Sequence, residues 1–299
     1  MSLPLSSGIA IASGVPPVYG LTSAIIAGLL FPFLGGAYVT ISGPAAGLAP
    51  ALFAIMVTLG GAGNAKEVGQ GYHFLLCVIF MVGCMQAVMA LLKLARYCAI
   101  IPVSVVEGML ASIGLMIMIK QVSPFFGYTG AAKAKDFIHY LMLIPTYARE
   151  SNVQVFAVSF ATLAMLFWMG SMKNVKLLKV IPPQLIAVVM GVILGQMFHL
   201  DDLRDKNHEA WALITLPENP FHSMHMPPFA ELLVRKDLWY YVFLGVVTLT
   251  LIDGVESLAT AMAIDRIDPF RRKSQPNRLL FAMAISNIAS SLIGGLTII

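Results

Sequence analysis

The chain has 299 residues, 58% of them hydrophobic and only 11% charged, where a soluble domain carries about 25% charged residues. Its net charge of +4 is gathered at particular loops, which excludes a continuous basic face for nucleic acid. A soluble all-α protein is excluded as well, because the helices would have to be apolar on every side. What remains is an all-α polytopic membrane protein.

Apolar runs recur at close to the roughly 20 residues that cross a bilayer. In chain order the expected spans are Pro4–Gly14, Leu21–Leu34, Pro44–Leu59, His73–Leu94, Val103–Ile119, Val153–Met169, Ile181–Phe198, Leu238–Ile264 and Leu279–Ile293. Lys93 and Arg96 follow the fourth span. Lys173, Lys176 and Lys179 follow the sixth, and Arg266, Arg271, Arg272, Lys273 and Arg278 follow the eighth. The loop after the seventh is acidic, with Asp201, Asp202, Asp205 and Glu209. Basic residues at alternate exits place those loops in the cytoplasm.

The first run, "LPLSSGIAIASG", is short and has no basic flank, and the chain stops in the hydrophobic "SLIGGLTII". We therefore expect an internal piece of a longer chain, truncated at both ends. Cys77, Cys84 and Cys98 form no Cys-x-x-Cys and read as small core thiols. His222 and His225 in "FHSMHMPP" lack a carboxylate at zinc-ligand spacing and read as solvated loop. No metal site or cofactor is expected.

Two stretches differ from ordinary spans. "GGAYVTISGPAAGLAPALFAIM" opens with a β-branched and aromatic run at Tyr38–Ile41, breaks at Ser42-Gly43-Pro44 and resumes as an apolar helix. A helix that starts at membrane depth offers free N–H groups and the positive end of its dipole, which suits an anion. Non-helical backbone at that depth survives only where it is buried or lines a cavity. The alternative is a span that starts at Pro44 near the interface and uses its small residues for packing. "ASSLIGGLTII" repeats the ingredients: small residues, a glycine pair, then an extended run. Paired broken helices mark transporters built from inverted repeats, and the spacing predicts seven plus seven spans with short strands before broken helices three and ten.

"LIDGVESLAT", Leu251–Thr260, puts two carboxylates in the eighth span. On a helix Glu256 and Thr260 share a face, with Asp253 one turn before Glu256. Intramembrane carboxylates face a water-filled cavity and mark functional sites. A structural carboxylate bonded to a neighbouring helix is the competing reading, and it is the stronger one for Asp253.

These residues resemble a family. "GIAIASGVPPVYGLTSAIIAGLL", "GGAYVTISGPAAG", "IPVSVVEGMLASIGLMIMIKQVSPFFG", "ESLATAMAIDRI" and "NRLLFAMAISNIASSLIGGL" are similar, in order, to segments of the SulP anion transporters. These are solute carrier family 26 in animals, and the resemblance is to the bacterial sulfate or bicarbonate type. It implies the fold of the nucleobase transporters, with a core domain moving against a gate domain. Residues 1–97 and 237–299 would be core, 98–200 gate and 201–236 an extracellular loop. It also implies a cytoplasmic domain beyond this segment, usually STAS and in some bacterial relatives carbonic-anhydrase-like, a homodimer in the full-length protein, and residence in the bacterial inner membrane among lipid.

For function the resemblance implies no enzyme, but secondary transport or exchange of a small inorganic anion by elevator-like alternating access. Bicarbonate or sulfate leads, with chloride or a dicarboxylate behind. Ser42, Gly43, Ala45 and Ala46 at the start of the third span would hold the anion, with Ile9 lining the site. Glu256 and Thr260, and less directly Asp253, would serve the coupling ion, a proton or Na+. Glu256 stands where the bicarbonate members have Asp, which leaves proton, sodium and exchange open. A nucleobase or urate carrier of the same fold is the alternative, although the span-five pattern argues against it. An intramembrane enzyme is the remote one, since "LIDGVES" lacks the Gly-x-Gly-Asp of aspartyl proteases.

Overall fold

The computed structural model describes residues 2–38, 40–45, 47–61, 69–95, 103–128, 137–171, 183–200, 202, 225–265 and 268–299. They form eleven helices: α1 (Ser2–Ala12), α2 (Pro17–Leu34), α3 (Ala49–Leu59), α4 (Gln70–Leu91), α5 (Val103–Phe126), α6 (Phe137–Arg149), α7 (Val153–Ser171), α8 (Pro183–Met197), α9 (Phe229–Val234), α10 (Trp239–Asp265) and α11 (Pro276–Ile293). Among the described residues, four helical stretches are long and apolar enough to cross a membrane: Pro17–Leu34, Gln70–Leu91, Val153–Ser171 and Lys236–Met262.

Residues 137–149, which lie between the expected fifth and sixth spans, form α6. The expected strands do not form among the described residues. One isolated antiparallel bridge, Pro44 to Ile298, takes their place, and it lies beyond the Tyr38–Ile41 run that seemed strand-like.

The chain divides into two compact units, residues 114–215 and residues 2–113 with 216–299, the division falling inside α5. In the first, α7 packs on α8 around Val155, Val158 and Leu200. Asn152 starts α7 by accepting the N–H groups of Gln154 and Val155 at 3.0 and 3.3 Å, which satisfies two of the donors a helix start leaves open.

The second unit holds the larger core. Here α11 lies against α4 and α2, α1 against α2, and α3 and α10 against α4. Proline sits in the first turn of α2, α3 and α11, where its missing N–H costs nothing. Close helix approach explains Gly83 on α4: a Cβ there would overlap Ile288 and the Ala284 carbonyl of α11. The core is apolar, with Leu48, Leu52, Met56, Leu75, Ile79 and Leu249 fully buried. Cys77 joins that core, but Cys84, two turns further along α4, is exposed. Cys98 lies outside the described residues.

Candidate functional site

The site is assembled from two non-helical segments and the buried polar side chains that hold them. The chain between α2 and α3 is extended at 40–45. Its partner is the segment that leaves α11. Gly294 takes the left-handed conformation (φ 88°, ψ 20°) that ends α11, a conformation glycine adopts without steric cost. Gly43 N–H donates to the Ile299 carbonyl at 3.1 Å, Ile299 N–H returns to the Gly43 carbonyl at 2.9 Å, and Ala45 N–H donates to the Thr297 carbonyl at 3.0 Å. Pro44 stands between Gly43 and Ala45, where alternation turns its donorless nitrogen away from the partner. Proline is therefore tolerated at the centre of the pairing.

Side chains of three helices fix the second segment in place. Tyr72 of α4 donates its hydroxyl to the Gly294 carbonyl at 2.5 Å. Ser23 of α2 accepts the Leu296 N–H at 2.6 Å, and Ser290 of α11 donates to the Leu296 carbonyl at 2.6 Å. Asn287 of α11 accepts the Ile298 N–H at 2.7 Å. Leu296, Thr297 and Ile298 are fully buried, so each of these bonds satisfies a backbone group that water cannot reach.

Asn287 also faces the carboxylates. Its Nδ2 donates to Asp253 Oδ2 at 3.0 Å and to Gln86 Oε1 at 2.9 Å, and Gln86 Nε2 donates to the same Asp253 oxygen at 2.5 Å. Gln86, Asp253 and Asn287 are all fully buried. Asp253 thus ties α4, α10 and α11 together.

Glu256, one turn further along α10, reaches the other segment. Its carboxylate lies against the backbone of Gly47, two residues before α3. A Cβ on Gly47 would overlap that carboxylate. The start of α3 has no side-chain cap of its own, so a negative group from α10 lies by the positive end of its dipole. Several buried oxygens have no hydrogen-bond partner among the described residues: Glu256 Oε2, Asp253 Oδ1, and the hydroxyls of Thr250, Ser257, Ser286 and Thr297.

Of the residues singled out from sequence, the structure therefore brings Gly43 and Ala45 into the pairing and Glu256 to Gly47, with Asp253 in the network behind. Ser42 lies half-buried beside Gly43, and Thr260 half-buried a turn beyond Glu256. Ile9 is buried on α1, and its carbonyl accepts the Ser13 hydroxyl at 2.9 Å. Ala46 lies outside the described residues. Sequence reasoning missed Gln86, Asn287, Ser23 and Tyr72. The signal for the first two was present, as amides in the midst of apolar runs "CMQAVM" and "AISNIA", where a polar side chain needs a partner.

His225 is not a free loop residue as expected. It is half-buried, its Nδ1 lies 3.1 Å from the Tyr19 hydroxyl, and its ring is 4.8 Å from that of His73. His222 lies outside the described residues. A cavity of 810 Å³ opens beside His73, between α4 and α9. No group of three or more His, Cys, Asp or Glu among the described residues is placed to hold a metal.

The model of the Sulfate permease family matches residues 1–299. YvdB of Bacillus subtilis is 28% identical over 296 residues, 99% of this chain and 51% of that protein. The bicarbonate transporter BicA of Picosynechococcus is 25% identical over 296 residues, covering 99% and 49%. The solved transmembrane domain of a cyanobacterium bicarbonate transporter BicA superposes with a TM-score of 0.75 at 25% identity, covering 99% of this chain and 70% of that one. The chain spans about half the length of YvdB and of BicA. With a family match over every residue, the chain belongs to the sulfate permease family.

Proposed function

We propose that the protein is a secondary carrier or exchanger of a small inorganic anion, bicarbonate or sulfate, whose site lies at the pairing of residues 43–45 with 297–299. The observation that carries this reading is the Glu256 carboxylate lying against Gly47 at the approach to α3. A carboxylate placed there supports a site for an oxyanion: backbone donors and a helix start, with small residues around them. BicA's bicarbonate and the sulfate of the family name are both small oxyanions of this kind.

In this reading Ser42, Gly43, Ala45 and Ala46 shape the pocket and Ile9 closes it from α1. Glu256 and Thr260 serve the coupling ion, a proton or Na+, which offsets the Glu256 charge as the anion arrives. Asp253, with Oδ2 shared by two amides, is the anchor that keeps the second segment aligned rather than a group that cycles. The seven-plus-seven inverted repeat, the core and gate assignment, the homodimer and the elevator-like motion belong to the same proposal, with the complete site carried between the two faces of the membrane.

The test is uptake into liposomes containing the purified protein, with labelled bicarbonate, sulfate, chloride and uracil, each under proton and sodium gradients. Saturable uptake of bicarbonate or sulfate is expected. Uptake of uracil with no response to the three anions would overturn the reading in favour of a nucleobase carrier.

A further inference from the structure

The outer face of α2 carries Ile25, Leu29 and Phe33 at four-residue intervals, 61%, 61% and 84% exposed. That spacing makes them one continuous apolar stripe along the helix. The stripe stops where α2 stops, and basic side chains begin there. Arg278, in the first turn of α11, donates its Nε to the Leu34 carbonyl at 2.7 Å. The loop between α10 and α11 is held to the same end of α2, because Gln275 N–H donates to the Gly36 carbonyl at 2.7 Å.

That loop is built, not loose. Asp265 accepts the Ser274 N–H at 2.8 Å and its hydroxyl at 2.6 Å. Asp268 accepts the backbone N–H groups of Phe270 and Arg272 at 3.4 and 3.0 Å, and the Arg272 guanidinium at 2.9 and 3.2 Å. Arg272 is thereby neutralised, and its guanidinium lies over the Tyr38 ring at 4.9 Å. Arg271, Lys273 and Arg278 are exposed and have no carboxylate partner among the described residues.

We propose that this corner binds one anionic phospholipid, its phosphate among Arg271, Lys273 and Arg278 and an acyl chain along Ile25, Leu29 and Phe33. A soluble phosphate or an acidic protein segment would satisfy the cations but not the stripe that leads away from them. A lipid satisfies both, because its charge and its apolar chain are joined at the membrane interface. The inference needs only that α2 crosses the membrane, so it stands apart from the anion carried.

Native mass spectrometry of the purified protein, released from nanodiscs of mixed phosphatidylglycerol and phosphatidylcholine, tests it. Preferential retention of phosphatidylglycerol is expected, weakening as salt rises. Arg271→Gln with Lys273→Gln, both at exposed loop positions, should cut the preference about fivefold per charge removed while the melting temperature stays put. Leu29→Asn should loosen the lipid without altering its dependence on salt. Equal retention of the two lipids by the wild type, or an unchanged preference in the double variant, would overturn the proposal. Displacement of phosphatidylglycerol by glycerol phosphate at equal concentration would overturn it too, and would assign the cations to a soluble phosphate.

Discussion

Asn287 donates to Asp253 Oδ2 at 3.0 Å with one end of its amide and accepts the Ile298 N–H at 2.7 Å with the other. One side chain therefore joins the carboxylate of α10 to the backbone segment that pairs with Gly43. Asn287→Ala unpairs that N–H, Gln86 Oε1 and one bond to the carboxylate, all out of reach of water. A buried group left unsatisfied costs about 1–3 kcal/mol. Asn287→Ala should lower the melting temperature in detergent, and Gln86→Ala with Asn287→Ala should cost less than the two separate losses added together. A single variant that melts like the wild type would remove the network from this account.

Glu256→Gln keeps the shape of the side chain beside Gly47 but loses the charge. The variant should fold and insert, lose gradient-driven accumulation of the anion, and retain exchange of anion for anion, which needs no cation cycle. Normal accumulation under both proton and sodium gradients would show that Glu256 has no part in coupling.

Two glycines close in sequence should behave differently. A Cβ at Gly43 meets open space, whereas one at Gly47 overlaps the Glu256 carboxylate. Gly43→Ala should leave the melting temperature within about 0.5 kcal/mol of the wild type but raise the KM for the anion. Gly47→Ala should cost about 1–3 kcal/mol through overpacking, expressed as a lower melting temperature together with lost uptake. Measuring both quantities for both variants decides it, and the reverse order would displace the site from residues 43–45.

The loop between α10 and α11 should respond to acid. Hydrogen bonds from the Arg272 guanidinium hold the Asp268 carboxyl down at about 2, below the ordinary value of about 3.9. A group depressed on folding contributes fully above its unfolded value and loses that contribution as pH falls through the folded one. The loop should thus keep its stability at neutral pH and lose this part between about pH 4 and 2. Protection of the Phe270 and Arg272 amides against hydrogen exchange should fall over that window in the wild type, and Asp268→Asn should flatten the response.

The long helices were legible because nothing but the bilayer explains runs such as His73–Leu94 and Leu238–Ile264. Glu256 was legible because a carboxylate in such a run is costly unless it serves a purpose. The break at Ser42-Gly43-Pro44 was legible from residues that cannot continue a helix. The strand assigned to Tyr38–Ile41 was misplaced because β-branched content describes a local preference, whereas pairing needs a partner, and the partner of Gly43 is Ile299. Asn287 and Gln86 stayed hidden for the same reason: each is one polar letter in an apolar word, and only the packing of α11 on α4 turns the two into neighbours.

The bond from Leu296 N–H to Ser23 joins residues 273 positions apart, and the one from Tyr72 to Gly294 spans 222. Synthesis proceeds at about 5–20 residues per second, so Ser23 waits tens of seconds for its partner to leave the ribosome. Through that interval α2 and α4 are already made, yet their buried hydroxyls and the Gln86 amide have nothing of residues 294–299 to hold. The pairing of residues 43–45 with 297–299 therefore cannot form until residue 299 has left the ribosome, and before then the first segment has no partner. A chain caught at that stage presents unpaired polar groups within the lipid, where water cannot satisfy them.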